Sequence, residues 1–149
     1  MHTLLLTYAA SNGGNFQSGE SSPEASLSLL FQPLYNADAE LLRGKTVLKE
    51  TVESKLAAGH RLSPETCGWH YVEGLRSDDD QRMALFWDKA GLGHNGERLP
   101  NGDRKISRIG HANETIAGSE WNAFLQEQRS LLETLPEDRR VNALKSVAP

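Results

Sequence analysis

Apolar and polar positions alternate along the chain in two different periods, and the change falls near residue 63. Leu4 and Tyr8 lie four residues apart, as do Leu5 and Ala9, which gives a helical stripe over residues 2–11. Asn12-Gly13-Gly14 tolerates positive φ and predicts its end. Ser22-Pro23-Glu24 predicts a helix start: serine caps, proline fits the first turn and glutamate complements the helix dipole. Leu27, Leu30, Phe31 and Leu34 follow at helical spacing as one buried face, and Pro33 predicts the stop. One more turn is expected at 38–42, closed by Gly44. A further stripe of Leu48, Val52 and Leu56 ends at Gly59.

Beyond Ser63-Pro64 the period shortens. Gly68 to Leu75 is rich in aromatic and β-branched residues, and Met83 to Trp87 is apolar on both faces. A polar turn with Asp78-Asp79-Asp80 separates them, predicting an antiparallel pair with the second strand central. Residues 105–109 and 113–116 predict two further strands joined by Gly110-His111, after a long loop over 90–103. Ser119-Glu120 opens an amphipathic helix whose apolar side is Trp121, Phe124, Leu125, Leu131, Leu132 and Leu135. Pro136 restarts the chain as a last helical segment carrying Val141 and Leu144, with a frayed tail over 146–149. The expected fold class is α+β. An N-terminal helix packs on an antiparallel sheet of about four strands, followed by a C-terminal amphipathic helix.

Composition narrows the classes. With 149 residues the chain suits one domain, 1–149, with residues 136–149 as a C-terminal extension. The net charge is −4, and residues 1–75 hold 5 basic and 8 acidic side chains against 11 and 12 in the remainder. The chain therefore lacks the basic segregation of a nucleic-acid binder, and no nucleic-acid partner is expected. A lone cysteine, Cys67, excludes an internal disulfide and a cysteine-based zinc site.

Candidate chemistry is sparse. His94 and His111 fall in the glycine-rich half, with Asp88 and Asp103 near them in sequence, and such a set suits a metal ion. The spacing matches no tight ligand motif. Gly91-Leu92-Gly93-His94-Asn95-Gly96 imitates a phosphate loop but leads into Pro100 and Asn101-Gly102 rather than a helix. His70 reads as a partly buried strand histidine. Asp78-Asp79-Asp80 reads as a solvated turn, Cys67 as packed, and Trp69, Trp87 and Trp121 as core.

Several segments, taken in order, resemble bacterial type IV pilin-like and type II secretion major-pseudopilin-like proteins. Leu4-Leu5-Leu6-Thr7-Tyr8-Ala9 with Asn12-Gly13-Gly14-Asn15-Phe16 is similar to the end of that family's long N-terminal helix and the turn after it. Ala25 to Leu30 and Leu34-Tyr35 resemble its next helix and loop. Tyr71 to Leu75 and Ala84 to Asp88 resemble its central hairpin, and His94-Asn95-Gly96 through Gly110-His111-Ala112-Asn113-Glu114 its C-terminal pattern. The family's last turn usually carries Asp-Gly, whereas Ile109 precedes the glycine here.

The resemblance implies a non-catalytic structural subunit of a pilus-like or pseudopilus filament. Its partners would be copies of itself, other pilins or secretion-system components, and the inner membrane through an N-terminal helix. It would lie on the periplasmic or extracellular face, anchored before assembly, with the family's methylated precursor N-terminus and a role in protein transport. Residues 1–11 would be the stub of the long helix, its membrane-spanning part removed or lost. Some major pseudopilins hold calcium in a C-terminal loop, which leaves Asp88 and Asp103 as candidates there. Two other classes stay open. One is a small metal-dependent hydrolase using Asp88, His94 and His111. The other is a ligand-binding module using Trp69 or Trp121. The filament reading needs residues 2–11 to lie as a helix across the strands at 69–75 and 83–88.

Overall fold

The computed structural model describes residues 1–31, 39–93 and 97–147. The order of elements is α1 (His2–Ser11), α2 (Pro23–Leu27) running into a 3₁₀ turn (Ser28–Phe31), α3 (Ala39–Arg43) and α4 (Lys49–Ala57). Then come β1 (Trp69–Tyr71), β2 (Ala84–Asp88), β3 (Arg104–Arg108), β4 (Glu114–Ile116), α5 (Trp121–Leu132) and α6 (Glu137–Lys145). The four strands form one sheet in the order β1-β2-β3-β4, every neighbour antiparallel. This is the expected α+β arrangement of helices with an antiparallel sheet.

Side-chain parity separates the two faces of the sheet. Trp69 pairs with Asp88, Tyr71 with Phe86, and Phe86 with Ser107, so these share one face. His70, Trp87 and Ile106 share the other. The first face is covered by the N-terminal third of the chain. Trp69 Nε1 donates to Leu41 O at 2.6 Å, and Tyr71 OH donates to Gln17 O at 2.8 Å. The second face carries α5, whose Trp121 and Phe124 meet Trp87 edge-on at 6.1 and 5.7 Å. All five residues of β2 are buried, as its unbroken apolar run and interior place require.

Helix α1 buries Leu5 and Ala9 in the core. It starts beside the end of β3, where His2 Nε2 lies 2.9 Å from Arg108 O and 3.1 Å from Ile109 O. It leads to Asn15, which forms an isolated antiparallel bridge with Arg76 just after β1. The helix therefore runs from the end of β3 toward the connection that follows β1. Helix α2 starts as its sequence predicts, with Ser22 Oγ accepting from Ala25 N at 3.1 Å.

Several expectations need correction. Phe31 is 40 % exposed rather than on a buried face, because the helix tightens to 3₁₀ geometry and rotates it outward. Leu48 is exposed as the residue preceding α4, and only Val52 of that stripe is fully buried. Helix α6, expected only as a segment carrying Val141 and Leu144, leaves Val141 55 % exposed and buries Ala143. The tail is not frayed at Ser146 and Val147, which are buried. The strand expected over 68–75 is hydrogen-bonded as a strand only over Trp69–Tyr71. The stop at Pro33, the loop around Leu34-Tyr35 and the His94-Asn95-Gly96 stretch lie outside the described residues.

Candidate functional site

Where α1, α3 and the sheet meet, the first face stays partly uncovered. A cleft of about 470 Å³ opens there, floored by Trp69 and Phe86 and walled by His2, Lys45, Lys105 and Ser107. Trp69 and Phe86 touch edge to face at 5.0 Å. The chain turns sharply from α3 into Lys45 at Gly44, whose φ of +60° suits glycine. A Cβ on Gly68 would lie 1.6 Å from Arg43 O, so this close approach of backbones holds the Lys45 wall against β1.

Behind the wall lies Asp88. Its side chain is 1 % exposed, and its Oδ2 accepts from Lys45 Nζ and from Lys105 N, each at 2.8 Å. Its Oδ1 is buried with no hydrogen-bond partner among the described residues. A buried carboxylate is tolerated when an opposite charge and hydrogen bonds compensate its lost hydration, and here Lys45 supplies the charge. Lys105 is exposed on the cleft rim. No acidic partner for its ammonium lies among the described residues.

The other sequence-predicted ligands sit elsewhere. Asp103 Oδ1 accepts from Gly118 N at 3.1 Å and pins the start of β3 to the turn before α5. His111 is exposed in the β3–β4 turn, at the opposite end of β3 from Asp103. His94 lies outside the described residues. Asp88, Asp103 and His111 are thus not brought together. Among the described residues no group of three or more His, Cys, Asp or Glu side chains is placed to hold a metal ion.

The acidic turn Asp78-Asp79-Asp80 spends its carboxylates on nearby donors. Asp78 pairs with Arg76 at 3.0 Å, Asp80 with Arg82 at 2.8 Å and Asp79 with Arg139 at 2.7 Å. Arg82 holds the Asp80 carboxyl at about 2, below the usual carboxylate range. Trp69 and Trp121 are both half-buried, and the Arg104 guanidinium covers the Trp121 ring at 4.4 Å. The Trp121 ring is thereby covered, whereas Trp69 lines the cleft.

A second polar cluster borders β1. Glu73 Oε1 accepts from Ser26 Oγ at 2.5 Å and from Gly19 N at 2.9 Å. Nearby, His70 stacks on Trp87 at 4.7 Å and its Nε2 is hydrogen-bonded to Ser146 O. Burial lowers the His70 pKa below its ordinary value. Both groups tie distant segments together. The pairing of Lys45 with Asp88 and the exposure of Lys105 were not legible in the sequence. The only local hint was an acid ending a strand of otherwise apolar residues. Comparison with protein-family models, with curated proteins and with solved structures finds no match to this chain.

Proposed function

We propose that this chain is the globular part of a non-catalytic structural subunit in a type IV pilus-like or type II secretion pseudopilus filament. The single observation that carries the reading is α1: an N-terminal helix that buries Leu5 and Ala9 in the core it shares with an antiparallel four-stranded sheet. In such a subunit the sheet and its covering layers form a head, and α1 corresponds to the last turns of the family's long helix. That helix would anchor the subunit in the inner membrane and later pack among its copies. The head would then lie on the periplasmic or extracellular side and meet neighbouring copies. The cation-rimmed cleft agrees better with a contact surface than with a reaction centre, because Asp88 is already engaged by Lys45 and by the Lys105 backbone.

The test is localisation in the producing cell. Antibodies raised against this domain are applied to membrane fractions and to sheared surface filaments, with and without prepilin peptidase. Peptidase-dependent processing and labelling along filaments are expected. An even cytosolic distribution with no processed form overturns the reading.

A further inference from the structure

A groove runs along the β1 edge of the sheet, between α6 and the segment that leads into α2. It holds two clefts of about 360 and 350 Å³, and Gly19, Glu73 and Asn142 line both. Glu73 lies in the turn after β1 and is 8 % exposed. Its Oε1 is fully used, because Ser26 Oγ donates to it at 2.5 Å and Gly19 N at 2.9 Å. Ser26 is itself buried and accepts from Glu20 N at 3.2 Å, so the carboxylate is held in one orientation. Glu73 Oε2 accepts no hydrogen bond among the described residues, and no basic side chain among them lies within salt-bridge distance of Glu73. A carboxylate taken this far from water calls for a compensating cation. The neighbouring acids already have theirs: Glu24 pairs with Lys89 at 3.2 Å and Glu20 with Arg61 at 3.6 Å. On the α6 wall Arg139 is bonded to Asp79, while Asp138 and Lys145 are exposed.

We propose that Glu73 Oε2 anchors a binding site for a small organic amine, held in its ammonium form in the groove beside α6. The charge is surplus to the fold, because the two bonds to Oε1 need only a carbonyl oxygen. That surplus sets the sign of the ligand, and the single free oxygen sets its shape. A guanidinium fork takes both oxygens of a carboxylate, and here Oε1 is occupied. An ammonium is a compact charge that one oxygen can hold. A divalent cation asks for about six or more oxygen ligands. Among the described residues no group of three or more His, Cys, Asp or Glu side chains is placed to hold one. The walls beyond Glu73 carry Ser21, Ser22 and Asn142, which suit a short, hydrophilic amine. Ser26 and Gly19 preorganise the carboxylate, so little ordering is left for the amine to impose. The site goes beyond the filament reading and does not depend on it.

The probe is n-butylammonium chloride, titrated into the isotope-labelled full chain at constant ionic strength and followed by NMR. The Gly19 amide is the reporter, because it donates to the same carboxylate. A saturable shift with a millimolar dissociation constant is expected of so small a ligand. Tetramethylammonium carries the charge but no N–H. It should bind at least about tenfold more weakly, the scale of one hydrogen bond to a charged group. Equal binding of the two cations overturns the proposal. Glu73→Gln keeps the oxygen that Ser26 and Gly19 use and should lose a similar factor. Asn142 is exposed and lines both clefts, so Asn142→Lys leaves the core untouched and brings a tethered ammonium into the groove. It should compete the probe away. Unchanged affinity in Asn142→Lys, or in a Glu73→Gln protein that still unfolds cooperatively in urea, overturns the site. Lys145→Ala should change the affinity by less than about threefold, as befits an exposed charge. A wild type that ignores the probe while Lys145→Ala binds it would make Lys145 the internal counter-ion of Glu73 and remove the external site. Calcium chloride that saturates the Gly19 shift at lower concentration than the amine would likewise overturn the ammonium assignment.

Discussion

Arg139 in α6 grips Asp79 in the β1–β2 connection through two bonds, Nη1 to Oδ2 at 2.7 Å and Nη2 to Oδ1 at 3.1 Å. Its Nη1 also donates to Gly74 O at 3.1 Å, and Asp79 Oδ2 accepts from Arg76 N at 2.7 Å. One ion pair thus joins the C-terminal segment to the central hairpin. A bidentate fork is a geometry that lysine cannot reproduce. Asp79→Ala should cost about 1.5–3 kcal/mol, the range for hydrogen bonds to charged groups. Arg139→Lys should recover only part of the wild-type stability. Urea unfolding of the three proteins checks both, and equal stability of Arg139→Lys and wild type would show that the fork contributes nothing.

Gln128 acts as a stand-in strand for the edge of β2. Its Oε1 accepts from Ala84 N at 2.7 Å and its Nε2 donates to Arg82 O at 3.2 Å, where the β2–β3 register slips between Ala84 and Phe86. The bulge turns these backbone groups away from β3, and a buried amide from α5 satisfies them. Gln128→Leu keeps the volume but strands the Ala84 N–H, which should cost about 1–3 kcal/mol. Hydrogen exchange at Ala84 should speed up selectively, while Trp87 amide protection falls only with global stability.

The bulge also shows why part of the fold was legible and part was not. Local signals are written locally: Ser22-Pro23 caps α2, Gly44 at φ +60° ends α3, and an unbroken apolar run makes β2 central. The partners of buried polar groups are not local. Gln128 answers a backbone group 44 positions away, and Lys45 answers Asp88 43 positions away. No periodicity carries such pairs. Which side of α6 faces inward was not legible for a related reason. In a nine-residue helix the stripe can rotate, and here Ala143, packed to zero exposure, sets the inner face. The candidate ligands Asp88, Asp103 and His111 were close in sequence, but β3 is an extended strand and keeps its two ends apart.

Cys67 should behave as a packed side chain. It is buried, its Sγ faces Leu42 O at 3.5 Å, and burial pushes its thiol up to about 11. At pH 8 almost no thiolate exists, and reagents have no path to it. Reaction with a disulfide reagent should therefore follow opening of the fold and accelerate in denaturant in step with unfolding. Rapid stoichiometric labelling of the native protein would contradict this placement.

His70 gives the chain an acid-sensitive joint. The ring is sandwiched against Trp87 and bonded to Ser146 O, which suits a neutral imidazole donating from Nε2. Burial lowers its pKa first of all. The Ser146 carbonyl and Glu24 oppose the shift, and Lys89 and Arg104 reinforce it. A group whose native pKa is depressed takes up its proton more readily in the unfolded chain. The stability it contributes as a neutral ring is therefore complete above its ordinary pKa of 6.5. It falls as the pH drops below that value and levels off once the pH passes the native pKa. Unfolding free energy should decline between neutral and mildly acidic pH, and His70→Gln should flatten that decline while lowering stability at neutral pH. The ring resonances of His70, followed by NMR against pH, should titrate below the ordinary imidazole value of 6.5. A His70 midpoint at or above that value would show that the joint is not the source of the slope.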